Sequence, residues 1–269
     1  MWGNEAIYHC DGTYKINNMI TQDFWASATM TDSVEEALEC LRKGKLVLVY
    51  DFDDRERETD IVIASQFVVP TTIRTMRKEG GGLICTTATS EISERLQLPF
   101  LADVLAYSSK QYPVLSSLAP NDIPYDTKSA FSITINHRKT FTGITDIDRA
   151  LTTSEFAKLA KFALANGEAE ARAEFGRNFR APGHVHLLNA SKNILTKRKG
   201  HTELCTALLI MSGLTPSATI CEMMGDDGNA LPKDKTKNFA MKNDYSFLTG
   251  ADVIEAWQAW NRSKAKNKA

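Results

Sequence analysis

Ten consecutive residues, Asp51–Asp60, carry six carboxylates and two arginines between two apolar runs. Residues 45–50 (Lys-Leu-Val-Leu-Val-Tyr) and 61–64 (Ile-Val-Ile-Ala) are short and rich in β-branched side chains, so both read as buried strands. A charged segment between two core strands is held at a sheet edge, where α/β proteins keep their sites. If the segment is extended, Glu56, Glu58 and Asp60 point to one face, because strand side chains alternate. Three carboxylates on one face repel one another unless a cation sits among them. This favours a hard metal ion, with Arg55 or Arg57 free for an anionic substrate group. The competing reading is a solvated acidic loop.

Length and charge narrow the field. The 269 residues can bury a substantial core. The 32 Lys and Arg against 33 Asp and Glu leave no global field to recruit nucleic acid or a membrane surface. No apolar run is long enough to span a bilayer, and the first residues are not a secretory signal. The five cysteines (Cys10, Cys40, Cys85, Cys205 and Cys221) show no CxxC spacing and suit buried thiols in a reducing cytoplasm.

Residues 1–30 have no clear period and read as a poorly ordered N-terminal extension; 31–262 is the expected catalytic domain and 263–269 a basic tail. A helix starts at Asp32, with Glu35 completing a box-like cap and Gly44 as its stop. Pro70–Lys78 reads as a helix broken by Gly80-Gly81-Gly82, which allow close backbone approach ahead of a strand over 83–86. Leu98–Lys128, with four prolines, reads as a surface excursion, and Phe131–Asn136 as a half-buried strand. Thr140–Arg149 is turn-like, ahead of an amphipathic helix Ser154–Ala165. Further strands are expected over 185–188, 218–222 and 245–248, and helices over 204–211, 235–242 and 251–260. Strands and helices intermix without a strict repeat, so the fold class is α/β (α+β), a sandwich around one main sheet.

Three further loci carry chemistry. Arg198-Lys199-Gly200-His201-Thr202 opens an apolar helix, where orphan N–H groups, two cations and a hydroxyl suit a phosphate. His201 reads either as a metal ligand or as an acid/base, and a plain capped helix start is the alternative to the whole locus. His184 follows the rigid Pro182-Gly183 pair into a strand. Glu222 ends an apolar strand, where a carboxylate is costly to bury unless paired and is placed to act as a base. No dinucleotide or P-loop fingerprint, zinc cluster or Ser-His-Asp spacing is present. Together these loci suit a phosphorylated small molecule that loses a proton next to a carbonyl. Inorganic phosphate release by a metal-dependent sugar-phosphate phosphatase, or ligand capture by a non-enzymatic sensor, would fit the same residues.

Four ordered motifs resemble one family. They are Asp54-Arg55-Glu56-Arg57-Glu58-Thr59-Asp60, Arg180-Ala181-Pro182-Gly183-His184, Arg198-Lys199-Gly200-His201-Thr202-Glu203, and Cys221-Glu222 followed by Asp226-Asp227-Gly228. The resemblance, from about Asp32 to about Trp260, is to 3,4-dihydroxy-2-butanone 4-phosphate synthase of riboflavin biosynthesis. It implies a lyase that turns D-ribulose 5-phosphate into 3,4-dihydroxy-2-butanone 4-phosphate and formate. It also implies a magnesium ion, for which manganese is expected to substitute, a cytoplasmic homodimer and a three-layer α/β/α sandwich around a mixed sheet. By the same resemblance Glu56 and His201 are the metal ligands, and His184 and Glu222 the catalytic residues. Arg55, Glu56, Asp60, Arg198, Lys199, Gly200, His201, Thr202 and Glu222 are the implied substrate contacts.

Overall fold

The two apolar runs that flank the acidic segment become strands buried at every position, β1 (Val47–Tyr50) and β2 (Thr59–Ala64). They pair antiparallel, with Val49 opposite Asp60. Five more strands follow in the computed structural model, which describes residues 32–266: β3 (Cys85–Ala88), β4 (Phe131–His137), β5 (Phe179–Asn189), β6 (Ala218–Glu222) and β7 (Ser246–Thr249). They form one mixed seven-stranded sheet in the order β4-β5-β3-β6-β2-β1-β7. The expected extension over 1–30 and the last residues of the tail lie outside the described residues.

Helices cover both faces, so the expected three-layer sandwich is what the chain builds. On one face lie α1 (Asp32–Arg42), α8 (His201–Met211) and α10 (Gly250–Lys266). Their Leu38, Leu204, Leu208 and Val253 pack on Val47, Val49, Val62 and Ile220. On the other face, α2 (Pro70–Thr75) and α9 (Lys233–Asn243) pack over Leu48, Ile61 and Cys221. Beside them α3 (Ser90–Leu96), α6 (Asp146–Ala165) and α7 (Glu168–Asn178) cover Ile135, Val185 and Leu187.

Several boundaries differ from expectation. Helix α6 begins at Asp146, not Ser154, because Thr145 Oγ1 accepts the Asp148 N–H at 3.1 Å and starts the helix inside the polar stretch. The Leu98–Lys128 excursion contains two short helices, α4 (Leu101–Ser108) and α5 (Val114–Ser117), neither of which has a buried residue. Helix α7 buries only Ala171, so it left no apolar period to read. Residues 180–184 are not a turn leading into a strand but part of β5 itself. There a Cβ on Gly183 would stand 1.9 Å from the Ile135 backbone carbon, so only glycine lets β5 close on β4. Helix α10 continues to Lys266, into the basic stretch. Cys85, Cys205 and Cys221 are buried free thiols, whereas Cys40 is disulfide-bonded, a departure from the expectation of thiols throughout.

Candidate active site

The acidic segment is not an extended strand. Residues 53–56 form a turn and Arg57 takes a left-handed backbone (φ 61). Asp51, buried at the end of β1, organises this shape. Its carboxylate accepts the Glu56 N–H at 2.9 Å, the Glu58 N–H at 3.1 Å and the Arg55 guanidinium at 3.3 Å. The turn still brings Glu56, Glu58 and Asp60 to one place, by a route that strand alternation did not foresee.

Helix α8 delivers His201 to the same place. Its Nε2 lies 3.2 Å from the Val49 carbonyl, which can only accept, so that nitrogen carries the proton. Nδ1 then faces Glu56 Oε2 at 3.3 Å. Anchoring one ring nitrogen on a carbonyl and presenting the other is how a metal-ligating histidine is fixed. Asp51, Glu56 and His201 each offer an atom within 4.8 Å of the others.

The electrostatics describe a site short of positive charge. Burial pulls the His201 imidazole toward neutrality, but Asp60, Glu56 and Asp51 outweigh it and hold its pKa up at about 9. Burial pushes the Glu56 carboxyl up, yet His201 and Arg55 pull it down to about 2. Asp60 lies well above the ordinary carboxylate range, through burial and the nearby Glu222, Glu56 and Glu58. Its Oδ1 is buried without a hydrogen bond, since His201 Nε2 at 3.7 Å is too far to donate. Glu58 is raised as well, by burial and then by Glu56 and Glu222. An orphaned carboxylate oxygen among mutually repelling acids, with one imidazole facing them, fits a divalent cation held by oxygen and nitrogen.

Glu222 joins the cluster across the sheet, opposite Asp60 on β6. Its Oε2 accepts the Leu83 N–H at 2.7 Å. This needs the glycine run: a Cβ on Gly82 would lie 2.4 Å from that oxygen. Cys85 pairs with both Ile220 and His186, so two residues nearer the edge His184 falls on the same transverse row as Glu222. Two strand spacings, about 10 Å, separate the two backbones. His184 is exposed, and its Nδ1 lies 3.1 Å from the Asn136 side-chain nitrogen.

The cationic side is equally defined. Arg55 Nη1 donates to Glu56 Oε2 at 2.6 Å, and Arg198 Nη1 to the fully buried Glu203 Oε2 at 2.6 Å. Gly200 lies under both guanidiniums, where a Cβ would meet Arg198 Nη1 at 2.6 Å and Arg55 Nη2 at 2.7 Å. Lys199 is exposed beside them, on the rim of a cavity of about 320 Å³ that both arginines line. Thr202 sits in the first turn of α8 and is buried. The polar groups of the turn-like stretch are engaged elsewhere: Thr142 and Thr145 bond Asp148, and Arg149 pairs with Asp146 at 3.6 Å. The fold thus gathers Arg55, Glu56, Asp60, Arg198, His201 and Glu222, and leaves His184 at the open end of the row. The sequence reading gave no role to Asp51 or Asp126. A carboxylate directly after an apolar strand was the available signal for Asp51; none marked Asp126.

A family model described as 3,4-dihydroxy-2-butanone 4-phosphate synthase matches residues 35–256. The chain is 48% identical over 225 residues to the 3,4-dihydroxy-2-butanone 4-phosphate synthase of Methanothermobacter thermautotrophicus, covering 83% of this chain and 95% of that protein. It is 42% identical to that of Archaeoglobus fulgidus, covering 83% and 93%. Among solved structures it resembles the Candida albicans synthase, with a TM-score of 0.63, 28% identity and coverage of 84% and 98%. It also resembles a synthase in complex with two magnesium ions, with a TM-score of 0.64, 25% identity and coverage of 83% and 95%.

Proposed function

The chain belongs to the 3,4-dihydroxy-2-butanone 4-phosphate synthase family, and on that premise we propose that it converts D-ribulose 5-phosphate to 3,4-dihydroxy-2-butanone 4-phosphate and formate at this site. The enzyme is a carbon–carbon lyase of riboflavin biosynthesis. The observation that carries the site assignment is the convergence of Asp51, Glu56 and His201, three potential ligands from two elements, beside two fixed guanidiniums.

Glu56 and His201 would hold magnesium, with Asp51 alongside. Held there, magnesium would supply Lewis-acid stabilisation of negative charge on the substrate's oxygens, which lowers the barrier to losing the C3 proton next to the carbonyl. The imidazole donor suits manganese too, so manganese should substitute. Glu222 would take the C3 proton; its carboxylate accepts the Leu83 N–H and lies opposite Asp60 in the sheet, which supports that role. His184, aligned by Asn136 at the open end of that row, would serve the later proton transfers. Dehydration, skeletal rearrangement and loss of one carbon as formate complete the reaction.

Product analysis tests this reading. Purified protein with magnesium and ribulose 5-phosphate should release formate in step with substrate loss. Release of inorganic phosphate would make it a phosphatase, and binding without products a sensor.

Arg198, with Lys199 on the same rim, would hold the phosphate. Arg198→Ala should raise KM about tenfold or more with kcat little changed, because a remote anion contact is made in ground and transition states alike. An unchanged KM would place the phosphate elsewhere. A homodimer is the expected assembly; the exposed apolar Phe141, Ile144 and Ile147, at 94%, 50% and 68%, support a covered face there. Sedimentation at micromolar concentration should give twice the chain mass, and a single monomer species would remove this assignment. A charged sugar phosphate as substrate favours the cytoplasm as the place of work.

A further inference from the structure

Arg55 and Arg198 are held from behind and meet in front on one carboxylate. Behind, Asp51 and Glu56 fix Arg55, and buried Glu203 fixes Arg198. Glu203 itself is set by the Ser191 N–H at 2.8 Å. In front, Arg55 Nη2 lies 3.4 Å from Asp126 Oδ2, and Arg198 Nε donates to that same oxygen. Asp126 Oδ1 is occupied by the Thr127 N–H at 2.9 Å.

Asp126 belongs to none of the packed layers. It lies between α5 and β4, in a stretch with no helix or strand over 118–130. Two cavities border that stretch: the one of about 320 Å³ at the two arginines, and one of about 620 Å³ lined by Phe100, Ile123, Ser129, Asn189 and Arg198. Tyr125 rests against Arg55, with the guanidinium 5.2 Å from its ring centre.

We propose that Asp126 is a specificity-determining residue that stands in for the substrate's phosphate: its carboxylate occupies the anion position between Arg55 and Arg198 and yields it when a phosphate arrives. The carboxylate offers the two guanidiniums one oxygen. A phosphate offers three and twice the charge, and can meet each arginine through its own oxygen. Weaker or singly charged anions would not displace Asp126, so the exchange selects for phosphorylated ligands. The inference rests on the assignment of phosphate to Arg198.

The test is binding of inorganic phosphate to the whole protein, followed by calorimetry without turnover, for the wild type, Asp126→Asn and Asp126→Ala. Removing a competing charge beside a dianion should tighten phosphate binding about tenfold. The same variants should lower the KM for ribulose 5-phosphate and narrow the preference for phosphate over acetate. Unchanged or weaker phosphate binding in both variants, with melting temperatures near wild type, would overturn the proposal and make Asp126 a support that aims the arginines. A wild type that makes no formate but shows the tightened phosphate binding in Asp126→Asn would sink the lyase reading and leave this inference standing. Once Arg198→Ala is in place, adding Asp126→Asn should tighten phosphate binding less than it does in the wild type; an undiminished effect would place the phosphate away from Arg198.

Discussion

Glu56→Gln is expected to cut magnesium-dependent formate release by about a thousandfold, on the scale of losing a fixed charge from a catalytic centre. The substitution keeps the side-chain volume and removes one charge. An amide cannot replace the carboxylate that faces both Arg55 Nη1 at 2.6 Å and His201 Nδ1 at 3.3 Å. It is also a far weaker ligand for a hard cation. The fold should survive, because the turn is held by the Glu56 backbone N–H on Asp51, which the variant keeps. Magnesium titration by calorimetry, formate release and thermal melting separate these effects. Near wild-type turnover with the same magnesium dependence would remove Glu56 from the metal site. His201→Ala should lose activity similarly but melt lower, since the bond to the Val49 carbonyl goes with it.

The pH dependence of the metal-free protein follows from the same pair. Folding raises the His201 pKa from 6.5 to about 9, so its contribution to stability is complete below 6.5 and is lost as pH climbs through 9. Folding lowers the Glu56 pKa from 4.5 to about 2, so its contribution is complete above 4.5 and is lost as pH falls through 2. The pair therefore stabilises the metal-free protein most between 4.5 and 6.5. A metal needs the neutral imidazole and must displace its proton. Manganese affinity should rise about tenfold per pH unit from neutrality up to about 9 and then level off. A flat affinity across that range would remove His201 from the ligand set.

Gly82→Ala should lower kcat by about 10²–10³-fold, the scale of losing a positioned base. The new Cβ would lie 2.4 Å from Glu222 Oε2 and 2.8 Å from both Glu222 Cβ and its backbone oxygen. The carboxylate would have to rotate away and give up the Leu83 N–H. Some backbone shift is unavoidable, because the Glu222 main-chain oxygen would also lie 2.8 Å from the new Cβ. Gly176→Ala is the control: it sits in α7 with nothing within 4 Å of an added Cβ and should be neutral or slightly stabilising. If Gly82→Ala folds and turns over normally, Glu222 does not need its present position, and its role as the base is lost.

Much of this centre was legible in the chain because its parts are local. A buried strand, a run of acids and a second strand already place charges at a sheet edge, whatever the rest of the molecule does. The helix start at His201 was equally plain, since a glycine and cations before an apolar run mark a helix N-terminus. The resemblance then supplied the pairing of the two, which no local rule contains.

Other features depended on contacts between distant residues. Helix α7 escaped notice because one buried alanine gives no period, and residues 180–184 looked like a turn because a proline and a glycine hide a strand that closes on Ile135. The acids converge through a turn built on Asp51, not through strand alternation, and Asp51 could be read only as one acid among six. Asp126 lies 71 residues from Arg55 and 72 from Arg198, in a segment without period, and its charge acquires meaning only where the two guanidiniums meet. The sequence by itself determined a sandwich around one main sheet and the kinds of groups at the sheet edge, because hydrophobic burial and helix-end polarity act over a few residues. The tertiary structure alone decided which oxygen faces which nitrogen, because Coulomb and hydrogen-bond energies depend on separations that no spacing along the chain encodes.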